Sequence, residues 1–313
     1  MKDATIIWPA LSYPAWRDTA VTLHLWTQIV GKVRLALTPW VNHSWHVPLY
    51  VTARGLGTSP IAAEGELFEM EFDFIGHSLI VRASWGAERT ITLEPQAVAD
   101  FYRRVVALLD DMGIAVRIGE MPNEIANPVS FPEDRVHAAY DPAAAHAFWR
   151  VLIQADRIFK LFRSGFLGKA SPVHFFWGSF DLAVTRFSGR PAPPHPGGVP
   201  SLPDAVAREA YSHEVSSAGF WPGNDAFPRA AFYSYAYPEP DGFRDARVPP
   251  GAYFEGGLGE FILPYDSVRT AADPDALLLD FLSSTYTAAA DRARWDRAAL
   301  ECALGAPGRV RRL

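Results

Sequence analysis

Two stretches decide the fold, and they resemble each other: Leu25-Trp26-Thr27-Gln28-Ile29-Val30-Gly31-Lys32-Val33-Arg34 and, past the middle of the chain, Leu152-Ile153-Gln154-Ala155-Asp156-Arg157-Ile158-Phe159-Lys160. A second matching pair follows in each half, at residues 43–55 and 174–186. Gln28 matches Gln154 at an offset of 126 residues, whereas Trp45 matches Trp177 and Arg54 matches Arg186 at an offset of 132. The pattern predicts an internal duplication, with a six-residue insertion where helix gives way to strand. The cleft between two such halves is a common place for a ligand.

Hydrophobic periodicity predicts an α+β protein. Apolar residues recur at three- and four-residue steps in four segments, which predicts helices at 17–38, 95–112, 142–164 and 274–289. Apolar and alternating runs between them predict antiparallel strands at 45–54, 66–73, 78–82, 89–93, 173–186, 230–237 and 260–263. We therefore predict two similar halves, residues 1–118 and 142–313, joined by a connection at 119–141, with an insertion at 187–228 in the second half.

Composition excludes several classes of function. The chain has 313 residues, of which 49% are hydrophobic and 20% charged, as in soluble globular proteins. A net charge of -6 argues against non-specific binding to nucleic acid. Residues 1–5 lack the pattern of a secretory leader, and no apolar run approaches the roughly 18 residues of a membrane span. The single cysteine, Cys302, cannot form an internal disulfide, so we expect a cytoplasmic protein with neither nucleic-acid nor membrane partners.

Histidines and one glutamate suggest a metal site. His174 lies at the start of the predicted second-half strand, and His213 is followed by Glu214. Two imidazoles and a carboxylate suit a divalent transition metal, with His43 or His46 contributed by the other half. On a strand, however, residues 213 and 214 would point to opposite faces and could not both bind the ion. The alternative is that these histidines serve hydrogen bonds or an organic ligand.

Asp181 and two arginines form a second candidate group. Asp181 lies within an otherwise apolar run, where a carboxylate is costly unless it is paired. It could form an ion pair with Arg54, or it could act as a general base or bind a substrate amine. Arg54 and Arg186 could orient a small anionic substrate, because the guanidinium group binds carboxylate or phosphate with two hydrogen bonds.

The remaining candidates are polar and aromatic residues at matching positions. Gln28 and Gln154 could fix the interface between the halves, or they could bind polar atoms of a substrate. Trp177 and Trp221 are expected to form walls of the pocket, since large aromatic side chains often line ligand sites.

Five strings resemble an uncharacterised bacterial family, the domain-of-unknown-function family 5996. They are residues 8–11, 23–32, 48–55, 171–181 and 209–214. The similarity extends over roughly residues 8–300 and implies an intact protein of a single family. It brings with it no activity, cofactor or catalytic residue.

Together these patterns predict an enzyme that acts on a small, anionic molecule. His174 and His213 would bind a divalent metal or move protons, while Glu214 and Asp181 would supply carboxylates. A non-catalytic protein that binds or senses a small molecule in the same cleft is the alternative. A purely structural partner protein would instead expose a flat apolar surface.

Overall fold

The computed structural model describes residues 7–311. Residues 1–6, which include the segment used for the leader prediction, and residues 312–313 lie outside the described residues. Between residues 7 and 311, every helix is too short or too polar to cross a bilayer. The helices are α1 (Tyr13–Leu37), α2 (Val98–Asp111), α3 (Pro142–Ser164), α4 (Asp204–Ala210), α5 (Tyr265–Arg269), α6 (Pro274–Arg292) and α7 (Arg297–Leu300).

The strands form two antiparallel sheets, which confirms the α+β prediction. The first sheet has the order β1-β2-β4-β5-β6, with β3 beside β4, and contains β1 (Tyr50–Val51), β2 (Gly55–Gly57), β3 (Ile61–Ala63), β4 (Glu66–Asp73), β5 (Ser78–Ala83) and β6 (Glu88–Thr92). The second has the order β11-β12-β10-β9-β8-β7 and contains β7 (His174–Phe176), β8 (Asp181–Pro191), β9 (His213–Trp221), β10 (Ala231–Tyr237), β11 (Tyr253–Glu255) and β12 (Glu260–Pro264).

The two sheets meet edge to edge at one pair of residues. The backbones of Leu49 and Phe175 exchange two hydrogen bonds, with N···O distances of 2.8 and 2.7 Å. Both side chains are fully buried. An offset of 126 residues, the value that relates Gln28 to Gln154, therefore relates Leu49 to Phe175 and aligns the start of β2 with the start of β8.

The match at an offset of 132 residues is not reflected in the fold. Trp45 lies in the turn before β1, whereas Trp177 lies in the turn after β7. Arg54 lies between β1 and β2, whereas Arg186 lies inside β8. The predicted strand at 45–54 is also wrong over most of its length, because only Tyr50–Val51 forms a strand there.

Segment 187–228, predicted as an insertion, contains regular structure over much of its length. Strand β8 continues to Pro191, and α4 and β9 follow, so only residues 192–203 form a long stretch without helix or strand.

Helix α1 is the central element of the core. Leu23, Trp26, Ile29 and Val30 are fully buried, and Gln28 is buried among them. A helix that is buried on all sides must contact other elements all round, and α1 contacts α2, α3 and β3.

Helix α1 also passes closely over the turn that follows β7. A Cβ atom added at Gly31 would overlap the indole of Trp177. Gly31 thus lets the helix reach the ring, whose Nε1 donates a hydrogen bond to the carbonyl of Val47 at 2.8 Å.

We expect Gly31→Ala to destabilise the protein by about 1–3 kcal/mol, because the new methyl group displaces the buried Trp177 ring. In an open helix the same change stabilises by roughly 1 kcal/mol, so the sign of the effect is diagnostic. Urea unfolding measures it. Gly256→Ala is the control, since a Cβ at Gly256 meets no atom of residues 7–311 within 4 Å. A stabilised Gly31→Ala variant would contradict the contact.

Candidate functional site

A cavity of about 1020 Å³ lies between α1 and the second sheet. The segment that joins the halves, loop 192–203 and helix α4 complete its walls. Residues from both halves of the chain therefore line it. Its volume lies at the upper end of the roughly 300–1,000 Å³ typical of small-molecule sites.

The floor of the cavity is one face of the second sheet. Asp181 and Thr185 on β8, Ser217 on β9, and Tyr233 and Tyr235 on β10 line it. Side chains alternate along a strand, so the residues between them point the other way. Leu182 and Val184 of β8 do so, and Phe220 of β9 and Phe232 of β10 share their face through the strand pairing; all four are fully buried. A Cβ at Gly219 would overlap the hydroxyl of Tyr233, so a glycine on β9 makes room for that ring.

Asp181 is the most enclosed acidic group of this floor. Its residue is 6% exposed, and its Oδ2 accepts a hydrogen bond from the hydroxyl of Tyr233. Its other oxygen, Oδ1, is buried and has no hydrogen-bond partner among residues 7–311. Burial raises the pKa of Asp181 to about 6, and the hydrogen bond from Tyr233, together with weaker polar contacts with the Ser179 hydroxyl and the backbone N–H of Asp181, opposes this rise.

Two glutamates share the cavity with Asp181. Burial raises the pKa of Glu124 to about 7, and the negative charge of Asp181 adds to the rise. The pKa of Glu260 is raised to about 7 by the same two causes in the same order. The charge of Asp181 therefore acts on both glutamates, as like charges in a desolvated site do.

A polar stripe on α1 holds the segments that bear these acids. His24, Gln28 and Lys32 follow one another at four-residue steps, on one face of the helix. The Gln28 side chain donates to the carbonyl of Asn123 at 2.9 Å and accepts from its backbone N–H at 2.8 Å. Lys32 Nζ donates to Oδ1 of Asn123 at 2.5 Å. Nε2 of His24 lies 2.8 Å from the carbonyl oxygen of Gly178. The stripe thus fixes the residue before Glu124 and the turn before Asp181.

Tyrosines close the far side of the cavity. The hydroxyls of Tyr211 and Tyr235 lie 2.8 Å apart, within hydrogen-bond distance. The ring of His195 stacks on that of Tyr211, with 4.6 Å between the ring centres. Tyr237 donates to the carbonyl of Pro193 at 3.0 Å. These contacts hold loop 192–203 over the sheet.

Five of the residues predicted from the sequence line this cavity: Asp181, His174, His43, Trp177 and Trp221. His174 is 1% exposed, and its Nδ1 has no hydrogen-bond partner in the described part of the chain. Burial lowers the pKa of His174 to about 3, and the charges of Arg34 and Arg163 act in the same direction. His174 is therefore a neutral imidazole at physiological pH.

The predicted metal ligands are not brought together. His213 and Glu214 are consecutive residues of β9, and strand geometry turns them to opposite faces. The His213 ring lies 6.0 Å from that of His43, whereas Glu214 forms an ion pair with Arg190 at 2.6 Å. No three His, Cys, Asp or Glu side chains between residues 7 and 311 form a group able to hold a metal ion.

His43 and His46 have partners of their own. Nδ1 of His43 lies 2.8 Å from the carbonyl oxygen of Ala210, and its Nε2 lies 2.5 Å from Nζ of Lys169. Nδ1 of His46 accepts a hydrogen bond from the backbone N–H of Val41 at 3.2 Å.

The predicted arginines and Gln154 lie outside the cavity lining. Arg54 pairs with Asp73 at 2.7 Å, so the pair between Arg54 and Asp181 does not form. Arg186 donates to the carbonyl of Phe162 and lies 3.6 Å above the centre of its ring. Gln154 accepts hydrogen bonds from Arg157, one turn along α3. Arg54 therefore supports the first sheet, whereas Arg186 and Gln154 hold β8 and α3 of the second half.

The sequence-based prediction of the site missed several residues. Glu124 and Glu260 were not recognised, and neither were the tyrosines of β10. The tyrosines leave a signal, because Tyr233, Tyr235 and Tyr237 alternate along one strand and must share a face. The sequence contains no comparable signal for the acids, since Glu124 lies in a polar segment that resembles a surface linker.

The chain belongs to the family of unknown function DUF5996, whose family model matches residues 8–302. This finding confirms the resemblance noted in the sequence. No curated protein and no solved structure matches the chain. The matched range includes every residue that lines the cavity, from Tyr13 to Glu260.

The raised pKa values predict how stability depends on pH. Asp181, Glu124 and Glu260 bind protons more tightly in the folded chain than in the unfolded chain. Their contribution to the free energy of unfolding is therefore complete below their ordinary pKa values of 3.8 and 4.5, and it is lost as the pH rises through about 6 to 7.

We expect Asp181→Asn and Glu260→Gln each to flatten the decline in unfolding free energy between about pH 4 and about pH 8. Urea unfolding at several pH values measures the slope. Glu94→Gln, a change of an exposed glutamate outside the cavity, should leave the slope as it is in the unchanged protein. Equal slopes in all four proteins would contradict the raised pKa values.

Proposed function

We propose that this member of the DUF5996 family is an enzyme that transfers protons to and from a small molecule bound in the cavity. The observation that carries the proposal is the group of three carboxyls, Asp181, Glu124 and Glu260, in one desolvated cavity. Groups with pKa values near the working pH are the most effective general acids and bases. Titratable groups with such shifts, placed in a cleft, are typical of active sites.

The surroundings of each carboxyl suggest its role. Asp181 Oδ2 is held by Tyr233, which leaves Oδ1 to accept a proton or a hydrogen bond from the substrate. We assign Asp181 as the general base. Glu124 and Glu260 have the higher pKa values, so one of them would remain protonated while Asp181 is ionised and would serve as the acid.

We propose, in addition, that the two halves arose by internal duplication. Each half has the order helix, antiparallel sheet, helix. The common offset of 126 residues for Gln28 and Gln154 and for Leu49 and Phe175 supports this origin. The cavity would then lie at the junction of the halves, where a duplicated fold provides two different walls.

The proposal retains part of the expectation drawn from the sequence. Asp181 and His174 remain candidates for chemistry because both line the cavity. His213 and Glu214 do not line it, and Arg54 and Arg186, which were expected to orient an anionic substrate, lie elsewhere. The charge of the substrate must therefore be argued from the cavity itself.

Untargeted mass spectrometry tests the proposed activity. The protein is incubated with a small-molecule extract, and the compounds that disappear are quantified. We expect one compound to be consumed in large molar excess over the protein, and Asp181→Asn to slow this at least about 100-fold because the base is lost. Asp156→Asn, which changes a largely buried aspartate of α3 outside the cavity, should retain the rate.

Two results would contradict the proposal. A compound retained at one equivalent without conversion would instead indicate a binding or sensing protein. Conversion that is unchanged in the Asp181→Asn variant would move the chemistry away from Asp181.

A further inference from the structure

The geometry points to an organic cation, an amine or a guanidinium compound, as the molecule that this cavity accepts, with its charged group bound by Asp181. This inference rests on the proposed function, because it names the substrate class of the same site. It reverses the anionic substrate expected from the sequence.

The first observation is the unsatisfied oxygen of Asp181. Oδ1 is buried and has no hydrogen-bond partner among the described residues, although Oδ2 is held by Tyr233. A buried carboxylate oxygen without a donor is costly, and a charged N–H donor satisfies it most strongly. An ammonium or guanidinium group at Oδ1 would supply both the hydrogen bond and the compensating charge.

The second observation is the balance of charge around the cavity. Within the described part of the chain, its ionisable lining includes three carboxyls but only two basic side chains that are not histidine, Lys32 and Arg117. Lys32 is committed to Asn123, and Arg117 is exposed. Burial also lowers the pKa of His24 to about 4, so that imidazole adds no charge. Because Asp181 forms no ion pair among the described residues, an anion beside its carboxylate would meet repulsion, whereas a cation would meet attraction.

The third observation is the aromatic lining. Tyr211, Tyr233 and Tyr235 stand on one side, and Trp177 and Trp221 also face the cavity. The rings of Tyr233 and Tyr235 lie nearly parallel, with 6.1 Å between their centres. Faces of tyrosine and tryptophan attract cations, and this attraction is strongest where water is excluded. Phenol hydroxyls add acceptors for further N–H groups.

The basic residues that could have bound an anion are engaged elsewhere. Arg54 is paired with Asp73, and Arg186 lies on the opposite face of the second sheet against Phe162. Lys169, close to the far end of the cavity, is directed at His43. None of them is free to face a carboxylate or phosphate beside Asp181.

The test compares compounds of one skeleton that differ only in charge. The probes are 2-phenylethylamine, 2-phenylethanol and phenylacetate, together with hexylamine, hexanol and hexanoate. Titration calorimetry and ligand-observed NMR give their dissociation constants. In at least one set we expect the amine to bind at least about tenfold more tightly than its neutral and anionic counterparts, about the discrimination of one charge-assisted hydrogen bond.

Variants connect this preference to Asp181. Asp181→Asn should abolish the advantage of the amine, and Asp156→Asn should retain it. Glu260→Gln, which removes another carboxyl of the cavity, should reduce the advantage of the amine. This variant provides the test if the Asp181→Asn protein does not fold.

Preference for the neutral or anionic probe, an amine advantage that survives Asp181→Asn, or failure of both amines to bind would each overturn the inference. Binding of an amine together with an absence of turnover would leave the ligand class standing and contradict the proposed enzyme. Turnover of an anionic or neutral compound that depends on Asp181 would support the proposed enzyme and contradict the inference that its substrate is a cation.

Discussion

The cavity depends on the pair of hydrogen bonds between the side chain of Gln28 and the backbone of Asn123. Gln28 is fully buried in α1, where an unpaired amide would be costly. Its two bonds satisfy it and bring the segment between the halves against the helix. Asn123 and Glu124 then bond to the carbonyls of Ser201 and Pro200 in loop 192–203. One side chain in the core thus sets two walls of the site and the position of Glu124.

Several energetically unfavourable features are concentrated at the cavity. Glu124 and Phe180 adopt left-handed backbone conformations, with φ of 58° and 60°, and both line the cavity. Such conformations are unfavourable for residues other than glycine and recur at functional sites. Asp181 adds a buried carboxyl oxygen that has no hydrogen-bond partner between residues 7 and 311. The packing of the surrounding core offsets these unfavourable contributions to the free energy of folding. The stacked rings of Trp26 and Phe101, with centres 4.6 Å apart, belong to that core.

Local sequence signals predicted the helices well and the site only in part. Helix α3 spans the predicted residues because Pro142 opens it and Asp141 caps it, and both signals are local. The strand expected at 45–54 failed because His43 and Ser44 turn the chain in left-handed conformations before β1. The match of Arg54 to Arg186 rested on residue identity, but Arg54 lies in the turn between β1 and β2, whereas Arg186 lies within strand β8.

The position of Glu124 in the cavity had no local signal in the sequence, since it follows from contacts between residues far apart in sequence.

The most direct measurement of the central claim is a ¹³C NMR titration of the aspartate and glutamate carboxyls in the unchanged protein and in Asp181→Asn. We expect Asp181 to titrate near pH 6 and Glu124 and Glu260 near pH 7, with both glutamates moving to lower pH in the variant because the neighbouring charge is gone. Titration of every carboxyl below about pH 5, or glutamates unmoved by Asp181→Asn, would contradict a shared, desolvated cluster.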